Sequence, residues 1–319
     1  MLLYIDILKE VNWTYFCSTK MYFFTKQHTN MILVSGATGQ LGKATIENLI
    51  EKGIEPSSIS ALVRDAAKAE DLKAKGVIVK VGDYDNYESL VTAMKGEEKL
   101  LLVSGTDIPN RLVQHKQVID AAKEAGVKHV VYTSFARKNN TESNPLGIVA
   151  AAHIETDKYL KASGLDYTIM LNGLYADVLP MFIGQNVAET GVFYPAGEGK
   201  TSFTLRADMA EAAATILSTD GHANKEYIIA GSKKYSFQEV ADLLSEMLGK
   251  PVAYISPDVE TYKATLAQVG VPDMYIGMNI AFGEAIKQGE FETEISDLEV
   301  ILGRPAADLK GYLKAVYGA

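Results

Sequence analysis

A strand-like run followed at once by closely spaced glycines constrains this chain more than any other feature. The apolar residues 31–35 lead into Gly36-Ala-Thr-Gly-Gln-Leu-Gly42, and the segment after them has apolar residues at helical spacing. Gly36 permits a tight turn, Gly39 lets backbone approach a ligand, and Gly42 allows a helix to pack closely on a strand. Amides at the helix N-terminus favour phosphate, so the turn predicts a site for a dinucleotide pyrophosphate. The expected contacts are Gly36, Thr38, Gly39, Gln40, Leu41 and Gly42.

Beyond this turn, short apolar runs of strand type alternate with segments of helical period. That order predicts a parallel sheet covered by helices on both faces. Six strands are expected, at residues 31–35, 59–63, 77–81, 99–103, 127–133 and 167–171. The expected fold class is α/β, a Rossmann-type doubly wound parallel sheet over residues 31–175. A smaller C-terminal α/β lobe is expected over residues 176–319, with a strand at 227–230, a helix at 207–217 and some chain returning to the Rossmann core.

Residues 1–30 differ from the rest, because they hold the only tryptophan and the only cysteine of the chain, Trp13 and Cys17. A Rossmann-type domain commonly starts on its first strand, so we expect Met31 to be the functional start and the preceding segment to be an over-extended reading frame. The alternative is an interaction arm.

Charge and cysteine content exclude several classes of function. Lys and Arg number 31 against 40 Asp and Glu, a net charge of -9 that disfavours a nucleic-acid partner. A single cysteine permits no intrachain disulfide, neither cysteines nor histidines show metal-ligand spacing, and no apolar run is long enough to cross a membrane. We therefore expect a cytoplasmic protein without a metal. The sequence does not determine whether the protein forms a homodimer.

The identity of the nucleotide is expected to depend on the end of the second strand. Arg64 is the first polar side chain there, about 20 residues beyond the last motif glycine. A guanidinium can bind a 2′-phosphate in bidentate fashion, whereas a carboxylate would repel it, so Arg64 favours NADPH over NADH and the adjacent Asp65 argues the other way. Asp83 either accepts from the adenine amine or caps the next helix. The glycine spacing differs from that of FAD-binding enzymes, so no flavin is expected.

At this point the chain resembles the NmrA-like atypical short-chain dehydrogenase/reductases, and among them the quinone-reducing members. The resemblance covers essentially all residues after 30 and is carried by Gly36–Gly42, Ala61-Leu-Val-Arg64, Tyr132-Thr-Ser134, His153-Ile-Glu-Thr-Asp-Lys158 and Asn172-Gly-Leu-Tyr175. It implies NADPH, a fold of two lobes and a cleft between them.

One departure from ketone-reducing short-chain dehydrogenases bears on the substrate. Those enzymes use Tyr-x-x-x-Lys on the helix after the fifth strand to protonate an alkoxide, and this chain has His153 and Asp157 in those slots. Its only Tyr-x-x-x-Lys, Tyr22 to Lys26, lies upstream of the nucleotide motif. Hydride addition to a quinone gives a phenolate-like product with a pKa of about 10, which water or one neutral donor can protonate. The missing acid therefore favours an electron-poor acceptor.

The catalytic candidates follow from their positions. His153 is predicted to hydrogen-bond the acceptor or the nicotinamide carboxamide, with a packing role as the alternative. Asn172 and Tyr175 lie just past the sixth strand, at the sheet edge where open α/β folds place ligands. Ser104, Gly105, Thr133 and Ser134 end the fourth and fifth strands at the same edge and are predicted cofactor contacts, with ordinary loop capping as the alternative. His115 lies on a helical apolar stripe and is predicted to be a core residue.

Two functions from different classes fit these observations. The first is an NADPH-dependent reductase that passes hydride to quinones or similar electron-poor conjugated small molecules. The alternative is a non-catalytic NADP(H)-binding redox sensor of the NmrA type that acts through a protein partner. A sugar-nucleotide epimerase is disfavoured, because the missing tyrosine is its general base.

Overall fold

The computed structural model describes residues 31–318, so the predictions for residues 1–30 lie outside it. The strands of the described part are β1 (Ile32–Val34), β2 (Ile59–Val63), β3 (Ile78–Val81), β4 (Lys99–Leu102), β5 (His129–Phe135), β6 (Asp166–Asn172), β7 (Val192–Phe193), β8 (Lys200–Thr201), β9 (Lys225–Ile229), β10 (Tyr235–Ser236) and β11 (Tyr254–Ile255). The helices are α1 (Gln40–Glu51), α2 (Glu70–Ala74), α3 (Tyr87–Met94), α4 (Arg111–Ala125), α5 (Ile148–Ala162), α6 (Leu179–Ile183), α7 (Val187–Thr190), α8 (Arg206–Ser218), α9 (Phe237–Leu248), α10 (Val259–Gln268), α11 (Asp273–Lys287), α12 (Leu298–Leu302) and α13 (Leu309–Tyr317).

Seven strands form one sheet in the order β3-β2-β1-β4-β5-β6-β9, and every neighbouring pair is parallel. The strand order reverses direction at β1, which places a crevice between the carboxyl ends of β1 and β4. The predicted fold class, a doubly wound Rossmann-type sheet, is confirmed.

Alternation along β1 explains why helices cover both faces. Ile32 and Val34 pack with the apolar residues of α1 and α8, whereas Leu33 points to the opposite face, where α3 and α4 supply the neighbours. Successive strand residues point to opposite faces of a sheet, so a strand with three apolar residues in a row must be covered on both faces. Both layers of helices therefore follow from the sequence of the central strand.

The expectation of six strands was wrong by one. The strand predicted at residues 227–230 of the smaller lobe is β9, which pairs in parallel with β6, so that Leu171 lies beside Ile228. The helix predicted at residues 207–217 is α8, and it packs against α1 on the same face of the sheet. Periodicity in a sequence identifies the type of an element but not the partner it pairs with, and more than 50 residues separate β6 from β9.

The rest of the C-terminal half has its own aromatic core. Phe182 stacks on Tyr194 with ring centroids 4.9 Å apart, and Tyr194 lies 4.6 Å from Phe237. Two short ribbons, β8 with β10 and β7 with β11, border this core. The division at residue 175 into a nucleotide-binding domain and a substrate lobe stays a prediction. No helix within residues 31–318 is both long and apolar enough to cross a membrane.

Candidate active site

The glycine turn has the geometry that the sequence predicts. Gly36 adopts a φ of +60°, in the left-handed region that glycine tolerates best, and the Gly39 amide donates to the Gly36 carbonyl oxygen at 2.9 Å. A Cβ at Gly42 would overlap that same carbonyl group. Gly39 is the N-cap of α1, and the first turn of this helix has no acidic side chain. The amides that open α1 are therefore available to an anion.

A cavity of about 360 Å³ lies across the carboxyl ends of β1 to β4. Its lining consists of Gly36, Thr38, Gly39, Leu62, Val63, Arg64, Gly82, Asp83, Tyr84, Asp85, Val103, Ser104, Gly105, Thr106, Asp107 and Gln114. Seven of the predicted nucleotide contacts belong to it: Gly36, Thr38, Gly39, Arg64, Asp83, Ser104 and Gly105. Gln40, Leu41 and Gly42 lie in the first turn of α1, and Thr133 and Ser134 end β5; these five are outside the lining.

The end of β2 favours a phosphate over a ribose hydroxyl. Arg64 is the one Lys or Arg among the residues that line the cavity. The carboxylate of Asp65, the residue that argued for NADH, accepts from the Ala67 amide at 3.0 Å and caps the following turn. This hydrogen bond commits the carboxylate to its own chain, so the cationic side chain is the one left to meet a ligand.

The acidic turn 83–85 after β3 is held by hydrogen bonds with Gln114 and Ser35, which the sequence did not predict. The Gln114 amide nitrogen donates to both oxygens of Asp85, at 3.0 and 3.1 Å. The hydroxyl of Tyr84 lies 2.5 Å from Ser35 Oγ, between β1 and β3. Asp83 accepts from the Asp85 amide at 3.2 Å, whereas Asn86 caps α3, so capping of the next helix is not the role of Asp83.

Gly105, at the end of β4, is held through both of its backbone polar groups. Its amide donates to His115 Nε2 at 3.1 Å, and its carbonyl oxygen accepts from Arg111 Nε at 2.7 Å. His115 is fully buried, as the sequence predicts, and burial together with the nearby Arg111 lowers its pKa to about 3. A neutral imidazole can accept from Gly105, so the histidine of the core also fixes the cavity wall.

His153 has protein partners at both ring nitrogens. Its Nδ1 lies 2.7 Å from the Tyr132 hydroxyl, and its Nε2 lies 3.4 Å from Arg111 Nη1. Burial, and then the charge of Arg111, holds the pKa of His153 well below its usual range. The ring is therefore neutral at pH 7, and it is not an imidazolium acid. Strand alternation could have identified Tyr132, since its position on β5 turns it toward α5, which carries His153.

The second slot of the absent Tyr-Lys pair is occupied by an ion pair. Asp157 Oδ2 lies 2.6 Å from Arg137 Nη2, and both side chains are buried. The Ser134 hydroxyl donates to the same carboxylate oxygen at 3.1 Å. The hydroxyl of Thr133 accepts from the Ser104 amide at 2.9 Å. The side chains of Thr133 and Ser134 thus make hydrogen bonds within the protein, and their contact with a cofactor stays a prediction.

Asn172 is the last residue of β6, and Tyr175, three residues on, lies close enough to Arg111 for the two to influence each other. Asn172 is buried close to the Tyr175 hydroxyl, yet neither polar atom of its amide completes a hydrogen bond with any residue in 31–318. A buried amide without partners is costly, so this one is suited to a bound polar group. The pKa of Tyr175 is raised, chiefly by burial.

Arg206 links Tyr175, which follows β6, to the start of α1. Its guanidinium lies 4.8 Å from the ring centroid of Tyr175 and donates to Gln40 Oε1 at 2.6 Å, at the start of α1. Asp177 is 3.6 Å from the same guanidinium. No local pattern identified Arg206, Gln114 or Arg111 as site residues, because each has a partner 29 to 166 positions away in the chain. No cluster of metal-ligating side chains occurs in the described part.

The fold and this cavity define an NAD(P)-binding protein of the Rossmann type. The chain belongs to the NmrA-like family, whose model matches residues 28–313. It is 39% identical over 280 residues to quinone oxidoreductase 2 of Escherichia coli, covering 88% of this chain and 96% of that protein. The crystal structure of that enzyme with NADPH superposes with a TM-score of 0.84 at 36% identity, over 90% of this chain and all of the other.

Two further relatives are similar over most of their length. The NAD(P)H azoreductase of Xenophilus azovorans is 32% identical over 288 residues, covering 89% of this chain and 97% of that protein. The structure of the Citrobacter sp. triphenylmethane reductase with NADP(H) has a TM-score of 0.83 at 36% identity, over 89% of this chain and 99% of that one. The contacts of individual residues with nucleotide and acceptor stay predictions.

Proposed function

We propose that this chain is an NADPH-dependent reductase that passes hydride to a quinone or a similarly electron-poor conjugated small molecule. The observation that carries the proposal is the pairing of two features. A glycine turn with available amides opens onto a cavity whose one basic side chain is Arg64. The slots of a ketone-reducing Tyr-Lys pair hold instead a neutral His153 and an ion-paired Asp157.

NADPH is the proposed nucleotide. Arg64 meets the 2′-phosphate, since Asp65 is committed to the Ala67 amide. The relatives support this choice, because quinone oxidoreductase 2 and triphenylmethane reductase were solved with NADPH or NADP(H). When bound, the dihydronicotinamide supplies the hydride.

The acceptor is proposed to be one whose reduced form needs no strong protein acid. Neutral His153 can orient a polar group or Tyr132, but it cannot act as a cationic acid at neutral pH. Asn172 and Tyr175 are proposed to contact the nicotinamide carboxamide and the acceptor, because the Asn172 amide is buried and has no partner in the described part. By their names, the relatives act on quinones, azo compounds and triphenylmethane dyes, all extended conjugated systems.

The proposal extends to the setting of the protein. We propose a cytoplasmic location without a nucleic-acid partner, given the net charge of -9 and the single cysteine. A homodimer is compatible with this function, and size-exclusion chromatography with light scattering would detect it.

The test is a steady-state assay of NADPH oxidation with a panel of benzoquinones, naphthoquinones and azo dyes. We expect turnover with quinones and a lower KM for NADPH than for NADH. NADPH binding without oxidation across the whole panel would defeat the proposal and favour the redox-sensor alternative. No binding of either nucleotide would defeat both.

A further inference from the structure

Arg111 is a buried cation that lacks an acidic partner. Its residue exposure is 8%, and within residues 31–318 no carboxylate oxygen lies within 4.0 Å of it. Arg137, another buried arginine near the site, has Asp157 at 2.6 Å. A buried charge is costly unless it is paired, and Arg111 has only the Gly105 carbonyl and the neutral His153 for partners.

The surroundings of Arg111 do not supply the missing charge. Tyr132 and Tyr175 are close enough to influence Arg111, and burial raises the pKa of both hydroxyls, so they stay neutral. Asp107 is close enough to influence Arg111, but its carboxylate lies more than 4.0 Å from the guanidinium and accepts instead from Asn110. Burial lowers the pKa of Arg111, although a guanidinium remains cationic at neutral pH.

The position of Arg111 links the two parts of the site. Its Nε is anchored at 2.7 Å on the carbonyl of Gly105, which lines the nucleotide cavity. Its Nη1 reaches toward His153, in the slot where short-chain dehydrogenases carry their acid, and Tyr175 stands beside it. The cation therefore sits between the nucleotide cavity and the residues proposed to meet the acceptor.

We propose that Arg111 binds the acceptor oxygen that becomes negatively charged during hydride transfer, an inference that rests on the proposed function. A C–H bond of the dihydronicotinamide breaks, the hydride forms a new bond to the acceptor, and the acceptor is reduced by two electrons. The electron pair displaced within the acceptor comes to rest on an oxygen, and water, which leaves as hydroxide, supplies the single proton that neutralises it. A fixed guanidinium at that oxygen lowers the barrier, because it needs no reorganisation as the charge develops.

The experiment compares a phenolate with a neutral analogue that lacks the phenolate oxygen. In the protein saturated with NADP, binding of 4-nitrophenolate and of nitrobenzene is titrated for the wild type, Arg111→Met, Arg111→Lys and Arg64→Met. The wild type should bind the phenolate about 10-fold to 100-fold more tightly than nitrobenzene, as expected of a charge-assisted contact. Arg111→Met should lose that preference, and Arg111→Lys should keep part of it. Arg64→Met, which removes the cation that lines the nucleotide cavity, should keep it in full while weakening NADP.

Kinetics give a second readout. We expect kcat with a benzoquinone to fall about 100-fold in Arg111→Met, with a smaller loss in Arg111→Lys. The KM for NADPH should change little, which separates this role from simple support of the Gly105 wall. Thermal unfolding reports whether each variant is folded, and if Arg111→Met is not, the wild type and Arg111→Lys still decide the question.

The outcomes separate the two proposals. A wild-type protein that oxidises NADPH with quinones but binds phenolate and nitrobenzene equally would overturn the role of Arg111 and leave the reductase intact. The same holds if folded Arg111→Met keeps its phenolate preference. If the wild type turns over no acceptor, the reductase proposal fails, and the Arg111 proposal fails with it.

Discussion

The two ends of the site are built in different ways. At the nucleotide end, the ligand-facing surface includes the backbone of four lining glycines, Gly36, Gly39, Gly82 and Gly105. At the acceptor end, it consists of buried side chains from β5, α4, α5 and β6 that contact one another, such as Tyr132 with His153. A backbone site depends on a contiguous stretch of sequence, whereas a side-chain site depends on how distant elements pack.

The largest effect should come from the nucleotide end. Gly42→Ala places a methyl group against the Gly36 carbonyl, so the backbone of the turn or the start of α1 must shift. We expect the dissociation constant for NADPH to rise by about 100-fold or more, since a 1 Å displacement removes several charge-assisted contacts. Fluorescence titration measures it.

Gly277→Ala is the matched control, because this glycine of α11 has open space around it. It should leave NADPH affinity unchanged and stabilise the helix by about 0.5 to 1 kcal/mol. If both alanines had the same effect on affinity, the nucleotide end would not depend on its backbone.

A smaller and more selective effect is expected from the one side chain on which the nucleotide end relies. Arg64→Ala should weaken NADPH by about 10-fold to 100-fold, the value of a charge-assisted contact, and should leave NADH nearly unaffected. Lys68→Ala, a basic residue nearby that does not line the cavity, is the control. An equal loss for both nucleotides in Arg64→Ala would contradict its assignment to the 2′-phosphate.

The smallest effect tests the acceptor end through pH. The pKa of His153 is depressed in the folded state, so the unfolded chain binds the extra proton as pH falls through about 6.5. The contribution of neutral His153 to the unfolding free energy is fully present above that pH and is lost progressively below it. Between pH 7 and pH 6 the loss from one such histidine is about 0.7 kcal/mol of unfolding free energy.

His153→Gln should remove that part of the pH dependence in urea unfolding. His222→Gln should remove less, because His222 is only partly buried and its pKa is lowered less strongly. A His153→Gln protein with the pH slope of the wild type would mean that the pKa of this histidine is the same in the folded and the unfolded chain, which contradicts its burial away from water.

This contrast also explains what the sequence could predict. The glycine turn at Gly36 and the position of Arg64 at the end of β2 could be predicted, because each depends on residues that are adjacent in the sequence. The buried state of His115 followed from helical spacing. Three other hydrogen bonds link residues 10 to 166 positions apart in the chain, and no local signal predicts them. They join His115 to Gly105, Arg206 to Gln40 and Gln114 to Asp85.

The seventh strand has a consequence for the architecture as a whole. Because β9 comes from the C-terminal half and satisfies the edge of β6, a fragment ending at residue 175 would leave a row of unpaired amides and carbonyls along a long apolar strand. It would also lack α8, which shields α1. The boundary between the halves is therefore a poor place to cut the chain, and we expect the protein to unfold as one cooperative unit.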